Sequence, residues 1–148
     1  MDNTFVKSLK GNDRTMFIYE NKIKLVKNKS AFSFMSSSLI DGEKEIYYSD
    51  IIAVKFKSAS KISLGFIQFE LPGSVNFDNY SSENSWTFKC SINKEAKDVL
   101  DYIKTKIDSC KDLNNSVFSD IMNLKFEFLS GNISKDEFHS EIDKLLNV

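Results

Sequence analysis

The segment MFIYENKIKL, residues 16–25, decides the class of fold. Residues 16–19 are apolar and rich in strand-forming side chains, and Glu20-Asn21 predict a turn. Polar and apolar residues then alternate over residues 22–25, which is typical of an antiparallel strand with one buried and one exposed face. The segment therefore predicts a β-hairpin.

Further short segments with strand composition follow this hairpin. Turn-forming pairs such as Asp41-Gly42 and Pro72-Gly73 separate them. Residues 74–85 are irregular and polar, and the sequence leaves open whether Phe77 and Tyr80 contact a ligand. The additional predicted strands are residues 31–35, 45–48, 51–57, 65–69 and 86–90.

The hydrophobic period changes after residue 92, from that of a strand to that of a helix. Asn93 is a favourable residue for the N-terminal cap of a helix. A single amphipathic helix can close the open end of a bent antiparallel sheet. The apolar positions at helical spacing are Ala96, Val99, Leu100, Ile103 and Ile107.

A polar segment, residues 109–114, predicts a linker before a C-terminal pair of helices at about 116–130 and 135–147. Gly131 suits the left-handed position that ends a helix. Ser134 and Glu137 have the spacing of a capping box, in which each side chain binds a backbone N–H group of the new helix. The sequence therefore predicts a helical hairpin over residues 115–148.

Three segments resemble bacterial pleckstrin-homology-like domains of unknown function: KEIYYSDIIAV (44–54), GFIQFELPG (65–73) and WTF (86–88). The resemblance covers about residues 5–108, and residues 65–73 are its most specific part. It implies an α+β fold over residues 1–108, in which a bent antiparallel sheet of seven strands, or open barrel, is capped by one C-terminal helix. It implies no reaction.

The C-terminal segment resembles the short helical hairpin called SHOCT, which often follows such domains. Hairpins of that family tend to be basic just before the final leucine pair. Here Glu141 and Ile142 occupy that region and only Lys144 is basic, so no nucleic-acid role is expected. The matching residues are Leu124, Gly131, Ile133, Ser134, Glu137, Phe138, Lys144, Leu145 and Leu146.

Residues that could carry catalysis are few. His139 is the only histidine, and the interpretation we favour is a residue at the surface of the last helix. Cys90 and Cys110 lack metal-ligand spacing and are interpreted as reduced thiols without a catalytic role. We expect no catalytic, cofactor or metal site and identify no small-molecule substrate. A cysteine nucleophile is the remote alternative.

Charge and hydropathy exclude other classes. The chain has 20 Lys and Arg against 21 Asp and Glu, and Arg14 is its only arginine. Nucleic-acid binding needs a consistent positive field, so we expect none. No apolar run predicts a signal peptide or a membrane-spanning helix, and we expect a cytoplasmic location.

The first helix of the predicted hairpin carries more apolar surface than the second can cover. At 100° per residue its apolar positions span roughly 200°, against roughly 100° for an ordinary surface helix. The second helix offers only a narrow apolar stripe. We expect Phe118, Met122, Phe126 and Leu129 to need another surface. The chain's own sheet and a partner chain, most simply a second copy, remain open.

Lysines on the outer faces of strands suggest an alternative function. Lys22 and Lys24 share one face of their predicted strand, and Lys55 and Lys57 share one face of theirs. If these strands are close together, the lysines form a patch that could bind weakly to anionic lipid headgroups. The interpretation we favour for them is a solvated strand face that discourages edge pairing.

Overall fold

The computed structural model of the chain describes residues 4–28, 42–73 and 83–148. The fold is α+β, as predicted, with two antiparallel sheets, a long helix and a short helix. The strands are β1 (Phe5–Lys10), β2 (Arg14–Tyr19), β3 (Lys22–Lys27), β4 (Glu43–Tyr47), β5 (Ala53–Lys57), β6 (Gly65–Glu70) and β7 (Ser85–Phe88), and the helices are α1 (Asn93–Leu129) and α2 (Lys135–Leu146).

The strands form two sheets, in the orders β1-β2-β3-β4 and β5-β6-β7. The predicted hairpin is confirmed as β2 and β3, with Met16 opposite Leu25 and Ile18 opposite Ile23. These four side chains are buried, because alternation places them on the inner face. The predicted strand 31–35 and most of the segment 74–85, including Phe77 and Tyr80, lie outside the described residues.

The sequence analysis did not predict β1. Almost all of its residues are exposed, so no alternation of apolar and polar residues marks the strand. It is held by its antiparallel pairing with β2 and by an edge-on contact between the rings of Phe5 and Tyr19. Strand formation here depends on the neighbouring strand, which a local pattern does not contain.

The two sheets are joined at one corner by the turn between β1 and β2. The buried Trp86 of β7 donates its indole N–H to the backbone oxygen of Arg14 at 3.1 Å, and the Asn12 N–H donates to the Thr87 oxygen at 2.7 Å. A Cβ atom on Gly11 would collide with the Thr87 oxygen and the Trp86 indole nitrogen. Glycine at position 11 therefore permits the close approach of this turn to β7.

The first part of α1 buries the side chains predicted from helical spacing, namely Ala96, Val99, Leu100, Ile103 and Ile107. The prediction that the Asn93 side chain caps this helix is wrong. Its amide instead pairs with the backbone of Ala59, accepting from the Ala59 N–H at 2.8 Å and donating to the Ala59 oxygen at 2.9 Å. The side chain thereby fixes the loop after β5 to the start of α1.

The predicted break between two helices at residues 109–114 is also wrong, because α1 continues without interruption from Asn93 to Leu129. The segment is polar but contains neither glycine nor proline. Its serine, asparagine and aspartate residues reduce helix stability by only some tenths of a kcal/mol each. The polarity of the segment therefore marks solvent exposure and not the end of a helix.

The chain divides into two compact units, Met1–Ile107 and Asp108–Val148, and α1 contributes to both. In the second unit, α1 ends as Gly131 predicts. Gly131 is left-handed, with φ of 77°, and the N–H groups of Gly131 and Asn132 bind the oxygens of Phe128 and Glu127. This pair of bonds is a Schellman motif, which satisfies the last carbonyl groups of the helix.

Candidate functional site

The second unit contains no buried residue in its whole length, residues 108–148. A folded unit ordinarily buries an apolar core, since burial of apolar surface is the main favourable contribution to folding. Units of about 40 residues or fewer usually need a further source of stability, such as another chain. The second unit is therefore a candidate for an interaction surface.

The start of α2 is fixed by the capping box predicted from the sequence. The Ser134 N–H donates to Glu137 Oε2 at 2.8 Å, and the Glu137 N–H donates to Ser134 Oγ at 3.2 Å. The bond from the Ser134 backbone N–H favours the carboxylate form and is the largest of the effects that hold the pKa of Glu137 below its usual value. Asp136 also lies in the first turn, where the helix dipole favours negative charge, so this carboxylate pair has a structural explanation.

One face of α1 in the second unit is partly covered. The rings of Phe128 and Phe138 are stacked, with centroids 5.1 Å apart. Other half-buried apolar residues lie on the same faces of the two helices as these rings, by helical spacing. The whole set is Val117, Ile121, Leu124, Phe128, Phe138, Ile142 and Leu145. This inner stripe uses almost all the apolar surface that α2 offers.

The four residues predicted to need another surface lie on a different face of α1. Their exposed fractions are 66% for Phe118, 47% for Met122, 68% for Phe126 and 73% for Leu129. Successive steps of four, four and three residues place them within an arc of roughly 80° and over about 16 Å of helix. We call these four residues the outer face.

The charge around the outer face is sparse. None of its four residues is charged, and Asp120 and Glu127 lie on the opposite side of the helix by the 100° period. Lys125 lies at one edge. An apolar strip that contains no charged residue is suited to contact with a protein surface, because charged residues are depleted at the centres of interfaces.

Two of the lysines in the predicted anionic-surface patch belong to β3 and form ion pairs. Lys22 is buried, with 8% exposed, whereas the sequence analysis expected an exposed side chain. It binds Glu45 at 3.0 Å, and Lys24 binds Glu43 at 2.7 Å. The hydrogen bond to Glu43 also raises the pKa of Lys24. Their charge is therefore compensated by the neighbouring strand.

The other two lysines of the predicted patch, Lys55 and Lys57, belong to β5 in the second sheet. Lys55 binds Glu70 at 2.9 Å. Lys57 is exposed. Lys22, Lys24 and Lys55 are thus in ion pairs with carboxylates, and the lysines of β3 and those of β5 belong to different sheets.

The candidate residues for catalysis are one histidine and two cysteines. His139 is exposed on α2, as the sequence predicts, and its ring lies 5.9 Å from that of Phe138. Cys90 is exposed, Cys110 is half-buried, and both are reduced. Among residues 4–28, 42–73 and 83–148, no group of three His, Cys, Asp or Glu side chains could hold a metal ion.

The helices of the described residues include none whose length and apolar character would allow it to cross a membrane. No protein-family model matches the chain, and neither a curated protein nor a solved structure matches it.

Proposed function

We propose that this protein is a non-catalytic assembly module in which two copies associate through the outer face of α1. The observation that carries the proposal is the exposure of Phe118, Met122, Phe126 and Leu129 on one face of a unit that buries no residue. Covering this face removes large apolar side chains from water, which is the main favourable contribution to most protein association.

The proposal includes the family resemblance and the cytoplasmic location given above. On this view the first unit is a pleckstrin-homology-like domain, which is supported by its sheets of four and three antiparallel strands followed by a helix. The second unit is a SHOCT-like hairpin, which is supported by the capping box at Ser134 and the stacked Phe128 and Phe138.

A second copy fits the outer face because the steps between the outer-face residues are nearly the same when the helix is read in either direction. In an antiparallel pair centred near Leu124, Met122 of each copy is opposite Phe126 of the other. Phe118 is then opposite Leu129, so each larger side chain faces a smaller one. A twofold interface requires this reciprocity, in which residue i contacts j and j contacts i.

The size of the apolar contribution is appropriate for such a pair. Complete burial of a Leu, Met or Phe side chain contributes about 1.5–3 kcal/mol. Because the outer-face side chains are about half to three-quarters exposed, each gains roughly 1–2 kcal/mol, and a symmetric pair buries eight of them. We expect association at tens of micromolar.

The test compares Met122→Asp and Phe126→Asp with Leu113→Asp by sedimentation velocity. Leu113 is a matched control, since it is 66% exposed on the same helix but on the side opposite the outer face. Aspartate at position 122 or 126 places an unpaired charge in the interface, which should raise the dissociation constant at least roughly 100-fold. Leu113→Asp should associate like the wild type.

Equal association of Met122→Asp and the wild type would contradict the proposal. Equal loss in Leu113→Asp would also contradict it, because the effect would then belong to the helix as a whole and not to the outer face. Circular dichroism of each variant checks that helix content is retained.

A further inference from the structure

The loop after β5 presents an isoleucine that is almost completely exposed. Ile62 is 98% exposed, the highest value among the large apolar side chains described. It lies in a turn closed by the Ser60 N–H, which donates to the Ser63 oxygen at 2.9 Å, and by the Ser63 N–H, which donates to Ser60 Oγ at 3.0 Å. The turn therefore holds Ile62 in solvent by its own hydrogen bonds.

The base of this loop is also fixed. Ala59 is buried, and both of its backbone groups are bound by the Asn93 side chain. At the other end of the loop, a Cβ atom on Gly65 would lie 2.6 Å from the Ala59 nitrogen and from the Phe88 ring. The protruding turn is thus built onto the end of the second sheet.

A single exposed apolar residue needs no explanation, since such residues are common on protein surfaces. The second observation is the charge at the same end of the sheet. Lys57 ends β5, Lys61 is in the turn itself, and Lys89 directly follows β7. The register places them together, because Lys57 is opposite Phe66 and the residue before Lys89 is opposite Gly65.

A fourth lysine extends this surface. Lys10 and Lys89 line one cavity of about 420 Å³, together with Gly11, Asn12, Ser91 and Ile92. A second cavity, of about 310 Å³ and mostly apolar, is lined by Lys57, Ser63, Leu64 and Thr87. Lys10 thus shares a cavity with Lys89, and Lys57 shares one with the end of the turn that carries Ile62. We call Lys10, Lys57, Lys61, Ile62 and Lys89 the Ile62 surface.

Three lysines of this surface are less compensated by carboxylates than the lysines on β3. Within the described residues, Lys10, Lys61 and Lys89 form no ion pair with a carboxylate. The carboxylate of Asp13 lies in the same region, where it accepts a hydrogen bond from Thr87 Oγ1 at 2.9 Å and lies 3.9 Å from Arg14 Nε. Three lysines of the Ile62 surface thus carry positive charge that no ion pair within the described residues compensates.

We propose that the Ile62 surface docks on an anionic lipid bilayer, with Ile62 inserted at the level of the headgroups. The lysines complement the negative headgroups, and a protruding apolar side chain can enter the bilayer interface without a preformed pocket. A protein partner is the less favourable occupant, since protein interfaces concentrate their binding energy in side chains at the centre of a packed patch. The proposal does not depend on self-association through α1.

The experiment is co-sedimentation of the full chain with vesicles of phosphatidylcholine alone and of phosphatidylcholine mixed with phosphatidylserine. Binding should require phosphatidylserine and should weaken as salt is added, because exposed charges are screened. Replacement of Lys61 or Lys89 by alanine should lower the partition coefficient about fivefold each. Ile62→Asp should lower it by more, since it removes the inserted side chain and adds a negative charge.

Matched controls lie on the same sheet. Ile52 is 58% exposed and is located before β5, at the end of the strand opposite Lys57, so Ile52→Asp should bind like the wild type. Lys55 is on the same strand but is paired with Glu70, so Lys55→Ala should have little effect.

Absence of binding to the phosphatidylserine vesicles would overturn the proposal and would direct the search to an acidic protein surface. Equal binding to neutral vesicles would overturn it as well. Equal losses in Ile62→Asp and Ile52→Asp would show that the turn is not the point of contact.

Discussion

Glu20 connects the turn between β2 and β3 to the first part of α1. Its carboxylate accepts a hydrogen bond from the Tyr102 hydroxyl at 3.2 Å and a charge-assisted one from Lys106. The bond from Lys106 is the largest of the effects that lower the pKa of Glu20, and the same bond raises the pKa of Lys106. This contact lies within the first unit and is a polar one, made by the Glu20 carboxylate.

The lowered pKa of Glu20 predicts a pH dependence of stability. A carboxylate with a depressed pKa in the folded state contributes stability above its unfolded value of 4.5, and the contribution is lost as pH falls through the folded pKa. Glu20→Gln should therefore be less stable than the wild type near neutral pH, and the difference should shrink below 4.5.

The measurement for Glu20→Gln is the urea midpoint at about pH 7 and at about pH 3. Lys106→Met is the second arm, because it removes the cation and should abolish most of the same pH dependence. A stability difference between wild type and Glu20→Gln that is constant between the two pH values would contradict this account of the contact.

Two residues show where sequence reasoning fails at this scale. Asn93 was predicted to cap a helix from its local position, but its partner is Ala59, which is 34 residues away in the sequence. Lys22 was predicted to be exposed from alternation, but the rings of Tyr19 and Tyr47 each lie 5.7 Å from its ammonium group. Each outcome depends on a contact distant in the sequence, with Ala59 for Asn93 and with Tyr47 for Lys22, which a local pattern does not encode.

Elements with a strong hydrophobic periodicity were predicted well. The apolar alternation in β2 and β3 and the helical spacing in the first part of α1 are confirmed, because one buried face determines each pattern. The exposed strand β1 and the uninterrupted passage of α1 through residues 109–114 were not predicted. Residues 5–10 and 109–114 are almost all exposed, so no hydrophobic periodicity marks them.

The spacing of the outer-face residues predicts that the α1 helices of the two copies are antiparallel. In a chain with Cys90→Ser and Cys110→Ser, an equal mixture of Met122→Cys and Phe126→Cys chains should form a mixed disulfide under mild oxidation. The antiparallel pair places these positions opposite each other. Two copies of position 122 are then offset by about 6 Å along the helix axis and are too far apart for a disulfide.

Rapid disulfide formation by Met122→Cys alone would indicate a parallel pair and would contradict the antiparallel arrangement. It would leave self-association through the outer face intact. Disulfide formation in neither sample, in chains that sediment as pairs, would place the interface elsewhere.

The whole molecule combines a first unit with a conventional buried core and a second unit without one. The sequence could predict the folded α+β class and the excess of apolar surface on α1. Both follow from the number of apolar residues and from their periodicity along the chain. The sequence could not identify which lysines form ion pairs, since that depends on the carboxylates that strand pairing brings beside them. The Ile62 surface was missed for the same reason.

The most direct measurement is the mass of the unmodified full chain by sedimentation equilibrium over a dilution series. The account predicts a mass near twice 17.0 kDa at tens of micromolar, falling toward 17.0 kDa on dilution and changing little with salt. A mass of 17.0 kDa throughout the series would contradict the central claim that a second copy covers the exposed helix face.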